Sequence, residues 1–347
     1  MNGDDLSPSG PPPPSAAGPA PAVAAGGAPP AAEHPGRRAV EELVATVSAV
    51  VLGEETPIRI AAAAFLTGGH VLFEDIPGVG KTLLAKSLAT AIGGTMGRVQ
   101  GTPDLLPSDL TGITYLDEET HRWVFREGPL FNNVVLVDEL NRATPRTQSA
   151  LLEAMAEGQV TVDGTTHTLP DPFFVVATQN PKSSDPGTFP LVGGQRDRFA
   201  VSLSLGLPGR EAELAILGGA GGDRALAAQP GTGDLDTWRR LRAEVDDVYL
   251  HPVVAGYALD LVDRVRAGTG SFQPLSTRAS LTLVRLARAS AAAAGRDFVR
   301  PDDVQTVAVA ALAHRIVEAT GDDLPTARTW IGQILAQVPV PPAPADA

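Results

Sequence analysis

The chain has 347 residues, a net charge of −13 and 43% hydrophobic residues, enough for two domains after a tail is removed. It has no cysteine, which excludes disulfides, thiolate metal sites and a cysteine nucleophile. The acidic balance argues against a broad basic surface for nucleic acid, and no stretch is apolar enough to span a bilayer or act as a signal peptide, so a cytoplasmic protein is expected.

Residues 1–35 are Pro, Ala and Gly with few large apolar side chains, including Pro11-Pro12-Pro13-Pro14. Such a segment buries too little to offset its ordering entropy and reads as a disordered tail. From Arg38 to Leu52 the residues Val40, Leu43, Val44, Val47 and Val51 recur at helical spacing, and Ile58 to Leu66 is a second helix. A short apolar strand, His70 to Phe73, then leads into Asp75-Ile-Pro-Gly-Val-Gly-Lys-Thr82, which opens another helical pattern.

A glycine-rich turn between a buried strand and a helix N-terminus is where a phosphate chain can sit, because backbone N–H groups converge there and the helix end is partly positive. Pro77, Gly78, Val79, Gly80, Lys81, Thr82 and Leu83 are the candidate ATP-binding residues. Lys81 would reach the β and γ phosphates, and the Thr82 hydroxyl would ligate Mg²⁺. Lysine occurs only at positions 81, 86 and 182, so its placement after Gly80 is not an arbitrary positive charge. Asp75 stands where the usual pattern has its first glycine, and Asp tolerates left-handed backbone better than most residues.

Arg98 to Gln100 is a short strand, and Thr102 to Leu110, with two prolines, is a loop with a brief turn. Alternating segments on either side of Asp117-Glu-Glu-Thr120 predict a hairpin over 113–126. Asn133 to Asp138 is a continuous apolar run ending in acid, as in a strand buried on both faces of a parallel sheet. Asp138 is placed to hold Mg²⁺, and Glu139 to accept a proton from attacking water or to polarise it. Pro145 starts a helix through Glu157, and Asp163-Gly164 marks a tight hairpin. Phe173 to Ala177 is another buried strand, followed by Thr178-Gln-Asn-Pro181, where the neutral Asn180 amide can orient the water.

Strands alternating with helices predict a three-layer α/β domain over 36–205. Residues 206–340 predict a smaller all-helical domain, with helices at Arg210–Leu217, Leu235–Val248, Val253–Ala267, Thr277–Ala294 and Pro301–Val317 and a flexible interruption at Gly218–Gly233. Six scattered histidines show no ligand spacing for zinc. Ser276 or Thr277 can cap the helix that follows, which puts Arg278 in its first turn. The helix dipole disfavours a cation there, so an anionic ligand is the better explanation.

Gly78 to Thr82, Val135-Leu-Val-Asp-Glu-Leu-Asn-Arg-Ala143, Thr147-Gln-Ser-Ala-Leu-Leu-Glu-Ala154 and Ala177-Thr-Gln-Asn-Pro181 together resemble the MoxR family of AAA+ ATPases over residues 37–320. Gly101 to Leu110 matches that family's segment before its helix-2 insert, which corresponds to the 113–126 hairpin. The resemblance implies a P-loop NTPase (AAA+) domain with a parallel sheet, followed by a helical lid. Asp197-Arg198-Phe199 matches the family's Asp-Arg-Phe, so the resemblance makes Arg198 the arginine finger for ATP on a neighbouring subunit. Gly193-Gly194 would weaken the preceding helix by about 1 kcal/mol per glycine, and Arg196 or Arg142 could contribute instead. Ser276 to Ser280 resembles the family's sensor 2 segment, with Arg278 coupling hydrolysis to movement of the lid.

The resemblance further implies a homo-oligomeric ring, a hexamer, and protein clients such as those with a von Willebrand factor A-type domain. Its members resemble chaperones that mature enzymes or insert metal cofactors, and the two hairpins are candidate client contacts. The alternatives are a nucleotide-dependent binding module with weak turnover, a magnesium-chelatase-like activity, or a nucleic-acid motor, which the acidity disfavours.

Overall fold

A computed structural model describes residues 35–180, 187–231, 233–269, 275–321 and 323–342. The expected proline-rich tail therefore lies outside the described residues, but for Pro35, and so does Pro181 after the Asn180 segment.

Helix α1 (Pro35–Val50) buries Val40, Leu43, Val44 and Val47 on one stripe, and α2 (Glu55–Leu66) is buried along most of its length. Strand β1 (Val71–Glu74) leads through the glycine turn to α3 (Lys81–Ile92), and β2 (Met96–Gln100) follows. A short helix, α4 (Pro107–Thr111), replaces part of the expected loop. Pro107 tolerates that position because the first helical N–H has no partner anyway, and Asp109 accepts the Leu106 N–H at 2.9 Å.

The insert hairpin is β3 (Gly112–Asp117) and β4 (Arg122–Glu127). Next come β5 (Val134–Asp138) and α5 (Pro145–Glu157), then a second hairpin of β6 (Gln159–Val162) and β7 (Thr165–Thr168). Asp163 and Gly164 have φ of 49° and 80°, the paired positive values of a tight hairpin turn. The α/β part closes with β8 (Phe174–Gln179), the single-turn α6 (Gly193–Arg196) and β9 (Val201–Leu203). β9 is too short to show a periodic pattern and was not anticipated.

β1, β2, β5, β8 and β9 form one parallel sheet in the order β2-β5-β8-β1-β9. β8 lies between β5 and β1, so Asp138, Gln179 and the glycine turn leave the sheet along one edge. Ligands of open parallel sheets bind at that carboxyl edge. Alternate residues serve opposite faces. Val71, Phe73, Leu136 and Val176 join α1, α2 and α3 on one side, while Leu72, Val135, Val137 and Val175 join α5 on the other. This is the expected three-layer arrangement.

The helical remainder is α7 (Arg210–Leu217), α8 (Gly222–Ala228), α9 (Leu235–Asp247), α10 (Pro252–Gly268), α11 (Thr277–Ala293), α12 (Pro301–Leu312) and α13 (Leu324–Gln337). α8 lies inside the stretch expected to be an interruption. Ala225 and Leu226 pack on the core, and the Gln229 side-chain amide and the Ser87 hydroxyl exchange two 2.8 Å hydrogen bonds with each other's residue. α13 was also not anticipated, although Leu324, Ala327, Ile331 and Ile334 are buried at helical spacing. The helical segment is not set apart by a gap in the core. Its buried residues belong to the cluster of α1 and α2, where Phe65 meets Phe174 at 5.5 Å and Trp238 at 5.7 Å edge-to-face. No helix among the described residues is long and apolar enough to cross a membrane.

His70 joins two layers beneath the sheet. Its Nε2 donates to the Met155 carbonyl at 3.1 Å, and its Nδ1 accepts the Val175 N–H at 3.0 Å, a pattern only the neutral ring satisfies. Burial pushes its pKa down to about 4, despite the hydrogen bond to Met155. Above the unfolded value of about 6.5 both states are neutral. As pH falls from there, the unfolded chain takes a proton that the native ring refuses, so stability declines until pH passes the folded value. About 3 kcal/mol is lost across that window. The buried His314 is lowered in the same direction and adds to the loss. His70→Gln is expected to be less stable at neutral pH but to decline less between about pH 6.5 and 4. Urea midpoints measured along that range check this, and parallel wild-type and variant curves would refute it.

Candidate functional site

The carboxyl edge of the sheet holds a cleft of about 370 Å³ lined by Pro77, Gly78, Gly80, Lys81, Thr82, Leu83, Asp138, Glu139 and Asn180. Nine of the expected site residues thus meet in one place. Val79, the one expected glycine-turn residue that does not line it, packs against the core instead. Gly78 and Gly80 have φ of 89° and 99°, a left-handed backbone that a side chain would strain. Gly80 is the N-cap of α3, so the helix's free N–H groups face the cleft.

Lys81 Nζ donates to the Asp75 carbonyl at 3.1 Å and the Ile76 carbonyl at 2.8 Å. Burial lowers its pKa, while the charges of Asp75, Asp138 and Glu139 oppose that shift. An anion in the cleft would answer the same ammonium.

Asp75 does not take the left-handed backbone that its place in the motif suggested; Glu139 does, with φ 54°. The Asp75 carboxylate has another task. It accepts the Ser204 hydroxyl and the Leu205 N–H, each at 2.6 Å, and the Gly206 N–H at 3.3 Å, tying the segment after β9 to the start of the glycine turn. Asp75→Gly would restore the usual motif yet remove all three bonds. It is expected to lower stability by about 2–4 kcal/mol. An unchanged denaturant midpoint would show that the tether is unimportant.

Asp138 ends β5 and is paired with Arg98 at 2.9 Å. The Thr178 hydroxyl accepts the Glu139 N–H at 2.9 Å and stands 3.5 Å from Asp138 Oδ1, so β8 sets the turn that aims both carboxylates. Glu139 Oε2 accepts from Gln100 and Arg142, each at 3.0 Å. Arg98, Gln100 and Thr178 also belong to the site. The sequence marked Thr178 only as part of the segment leading to Asn180 and gave Arg98 and Gln100 no role, because β2 carries no motif and its role depends on lying beside β5. Thr82 and Asp138 supply a hydroxyl and a carboxylate to one cleft, a hard oxygen donor set that fits Mg²⁺ bound with substrate phosphates.

Arg198 and Arg278 lie elsewhere. They line a second cleft of about 250 Å³ together with Gly69, His70, Thr282 and Arg285. His70 and Ala200 precede β1 and β9, so this cleft opens at the amino ends of those strands, away from the glycine turn. Arg278, expected at the nucleotide, does not line the P-loop cleft of its own chain. The cause is packing: α11 lies on α1 and α2, which carries its N-terminus to this side.

Ser276 also departs from expectation. It stands at the N-cap of α11, but its hydroxyl donates to Asp197 at 3.0 Å instead of capping. Asp197 also holds the buried Arg315 at 2.7 Å. One carboxylate thus locks the arms bearing Arg198 and Arg278 together. Both arginines are exposed, and Arg278 has no ion-pair partner among the described residues. Arg196 is buried and Arg142 pairs with the chain's own Glu139, so neither presents a free cation to a neighbour.

The sequence profile described as "ATPase family associated with various cellular activities (AAA)" matches residues 70–201, and an AAA lid domain profile matches residues 272–330. The chain is 35% identical to Chaperone MoxR1 of Mycobacterium tuberculosis over 87% of its own length and 82% of that protein's. The chain belongs to the MoxR family of AAA+ ATPases. Protein MoxR of Paracoccus denitrificans is 33% identical over 78% of this MoxR-family chain and 86% of its own. The Bacillus subtilis protein YeaC, of uncharacterized function, is 40% identical over 85% of this chain and 92% of its own. A crystal structure of a candidate ATPase from Cytophaga hutchinsonii superposes with a TM-score of 0.77 at 34% identity, covering 88% of this chain and 96% of that one.

Proposed function

We propose that this MoxR-family ATPase hydrolyses ATP at sites shared between adjacent copies of itself and uses the cycle to remodel or mature partner proteins. One observation carries the reading. The P-loop, acidic and amide residues converge in one cleft, whereas the exposed arginines occupy another on the same chain. A nucleotide held in the first is completed only by the second cleft of a neighbour. Head-to-tail contacts of this kind close into a ring when the rotation permits, and the family's hexamer is the expected closure.

Lys81 and the N–H groups of the glycine turn hold the phosphates. Glu139, once released from Gln100 and Arg142, takes the proton of the attacking water, and Asn180 orients that water. Arg198 and Arg278 of the next copy meet the charge that develops on the transferred phosphoryl group. Mg²⁺, held by Thr82 and Asp138, would neutralise phosphate charge when bound with ATP.

The insert hairpin suits a client contact: Tyr115, Leu116 and Trp123 are exposed, Trp123 at 72%. Its base is anchored to the second hairpin by Phe125 stacking on His167 at 3.9 Å. A partner bearing a von Willebrand factor A-type domain in the cytoplasm is the client the family suggests.

Wild-type protein is expected to release phosphate from ATP, and Lys81→Ala to release none above background. Equal release by both would refute hydrolysis at this cleft. Nucleotide binding without release by the wild type would favour the binding-module alternative.

A further inference from the structure

Two exposed stripes on the helical segment carry leucines that neither cleft's chemistry uses. α7 has no buried residue. Its Leu214 and Leu217 are 55% and 80% exposed, with Leu207 just before the helix at 72%, and Glu211 and Glu213 lie among them. On α11, Arg278, Leu281, Thr282 and Arg285 follow the i, i+3, i+4, i+7 spacing of one helix face, and Leu281 is 62% exposed. The α7 leucines are grouped rather than scattered singly, the distribution that marks an interaction site.

Their positions relate them. Asp75 binds Ser204, Leu205 and Gly206 at the root of the glycine turn, and α7 begins four residues later. α7 therefore starts on the carboxyl-edge side of the sheet, the side on which the P-loop cleft lies. The α11 stripe borders the arginine cleft, to which Arg278, Thr282 and Arg285 contribute. Any arrangement that delivers Arg198 of one copy to the nucleotide of another brings these two sides together. The stripes also complement each other: α7 offers leucines beside acids, and α11 offers a leucine between arginines. Arg285 reaches Asp246 at 3.3 Å, but the pair is about half exposed, so Arg285 can exchange that partner for another carboxylate.

We infer that α7 of one copy packs along the α11 stripe of the next, so that a second copy of this chain is the occupant of both surfaces. The contact is heterologous, with different patches on the two partners, and it propagates around a ring. It sets the distance between the glycine turn of one copy and the arginines of its neighbour. The inference rests on the shared-site reading above and adds the surface that makes the site.

The test uses the full chain and sedimentation velocity with a non-hydrolysable ATP analogue. Leu214→Asp/Leu217→Asp is expected to raise the concentration for half-assembly about thirtyfold, as for loss of an interface hot spot. Its melting temperature and its affinity for a fluorescent ATP analogue should match wild type, because no α7 side chain is buried. Leu281→Asp should weaken assembly likewise. Glu211→Arg/Glu213→Arg should also weaken it, and adding Arg285→Glu should restore part of the loss. Normal assembly of the α7 double variant overturns the inference, as does a wild type that stays monomeric. Loss of client binding with intact assembly also overturns it and assigns α7 to the client. Sedimentation needs no hydrolysis, so the two readings can fail separately. α7-dependent assembly without phosphate release leaves the contact standing and removes the activity. Arg198-dependent release in a normally assembling α7 variant does the reverse.

Discussion

Glu139→Gln is expected to bind ATP as tightly as wild type while its turnover falls by about 10²–10⁴, the usual worth of a positioned general base. Gln keeps the size of Glu and can still accept from Gln100 and Arg142, which bond Glu139 at 3.0 Å. The left-handed backbone at φ 54° is set by the Thr178 bond to the main chain, and the substitution leaves that bond in place. Binding should therefore survive, since the phosphate contacts proposed above belong to Lys81 and the glycine turn. Only the capacity to take a proton from water is lost. Single-turnover phosphate release beside fluorescent-nucleotide binding separates the two effects. Turnover close to wild type would transfer the base role to another group.

Arg198→Ala alone is expected to lose about 10³–10⁵ in turnover, the range for an arginine supplied to a phosphoryl transition state. The residue is exposed, and among the described residues its side chain bonds the Gly194 carbonyl at 3.1 Å, so its removal should not unfold the chain. Lys81→Ala should be inactive for a different reason, the loss of phosphate binding. Mixing the two dead proteins is the decisive measurement. In a randomly mixed ring, about a quarter of the interfaces join an intact P-loop from one variant to an intact arginine from the other. A corresponding fraction of activity should return. No recovery, in a mixture shown to co-assemble, would mean that the arginine serves its own chain. The arrangement of clefts speaks against that, because Arg198 does not line the cleft that holds Lys81.

Much of the site was legible because its parts are local. The glycine turn, Lys81 and Thr82 lie within a few residues, and their chemistry needs only a strand before and a helix after. Asp138, Glu139 and Asn180 were legible because buried strands end visibly in polar residues. The hairpin at Asp163-Gly164 and the helix at Pro145 were announced by turn and start signals. β9 and α13 escaped for the opposite reason: three residues carry no period, and an alanine-containing stripe carries a faint one. Asp75 was misread for a deeper reason. Its place in the motif pointed to backbone geometry, whereas its carboxylate serves residues 204–206, about 130 positions downstream.

The amino-acid sequence by itself determined the fold class, the family resemblance and most of the groups that line the P-loop cleft, because each rests on short-range spacing. Tertiary structure alone decided that Arg198 and Arg278 share a cleft remote from Lys81, that Gln100 and Arg98 hold the two acids, and that Asp197 joins the two arginine-bearing arms. Those relations arise where strands adjacent in the sheet are distant in the chain and where α11 folds back onto α1 and α2. Linear spacing does not encode which strand ends become neighbours; hydrophobic packing of the sheet and the helices around it does.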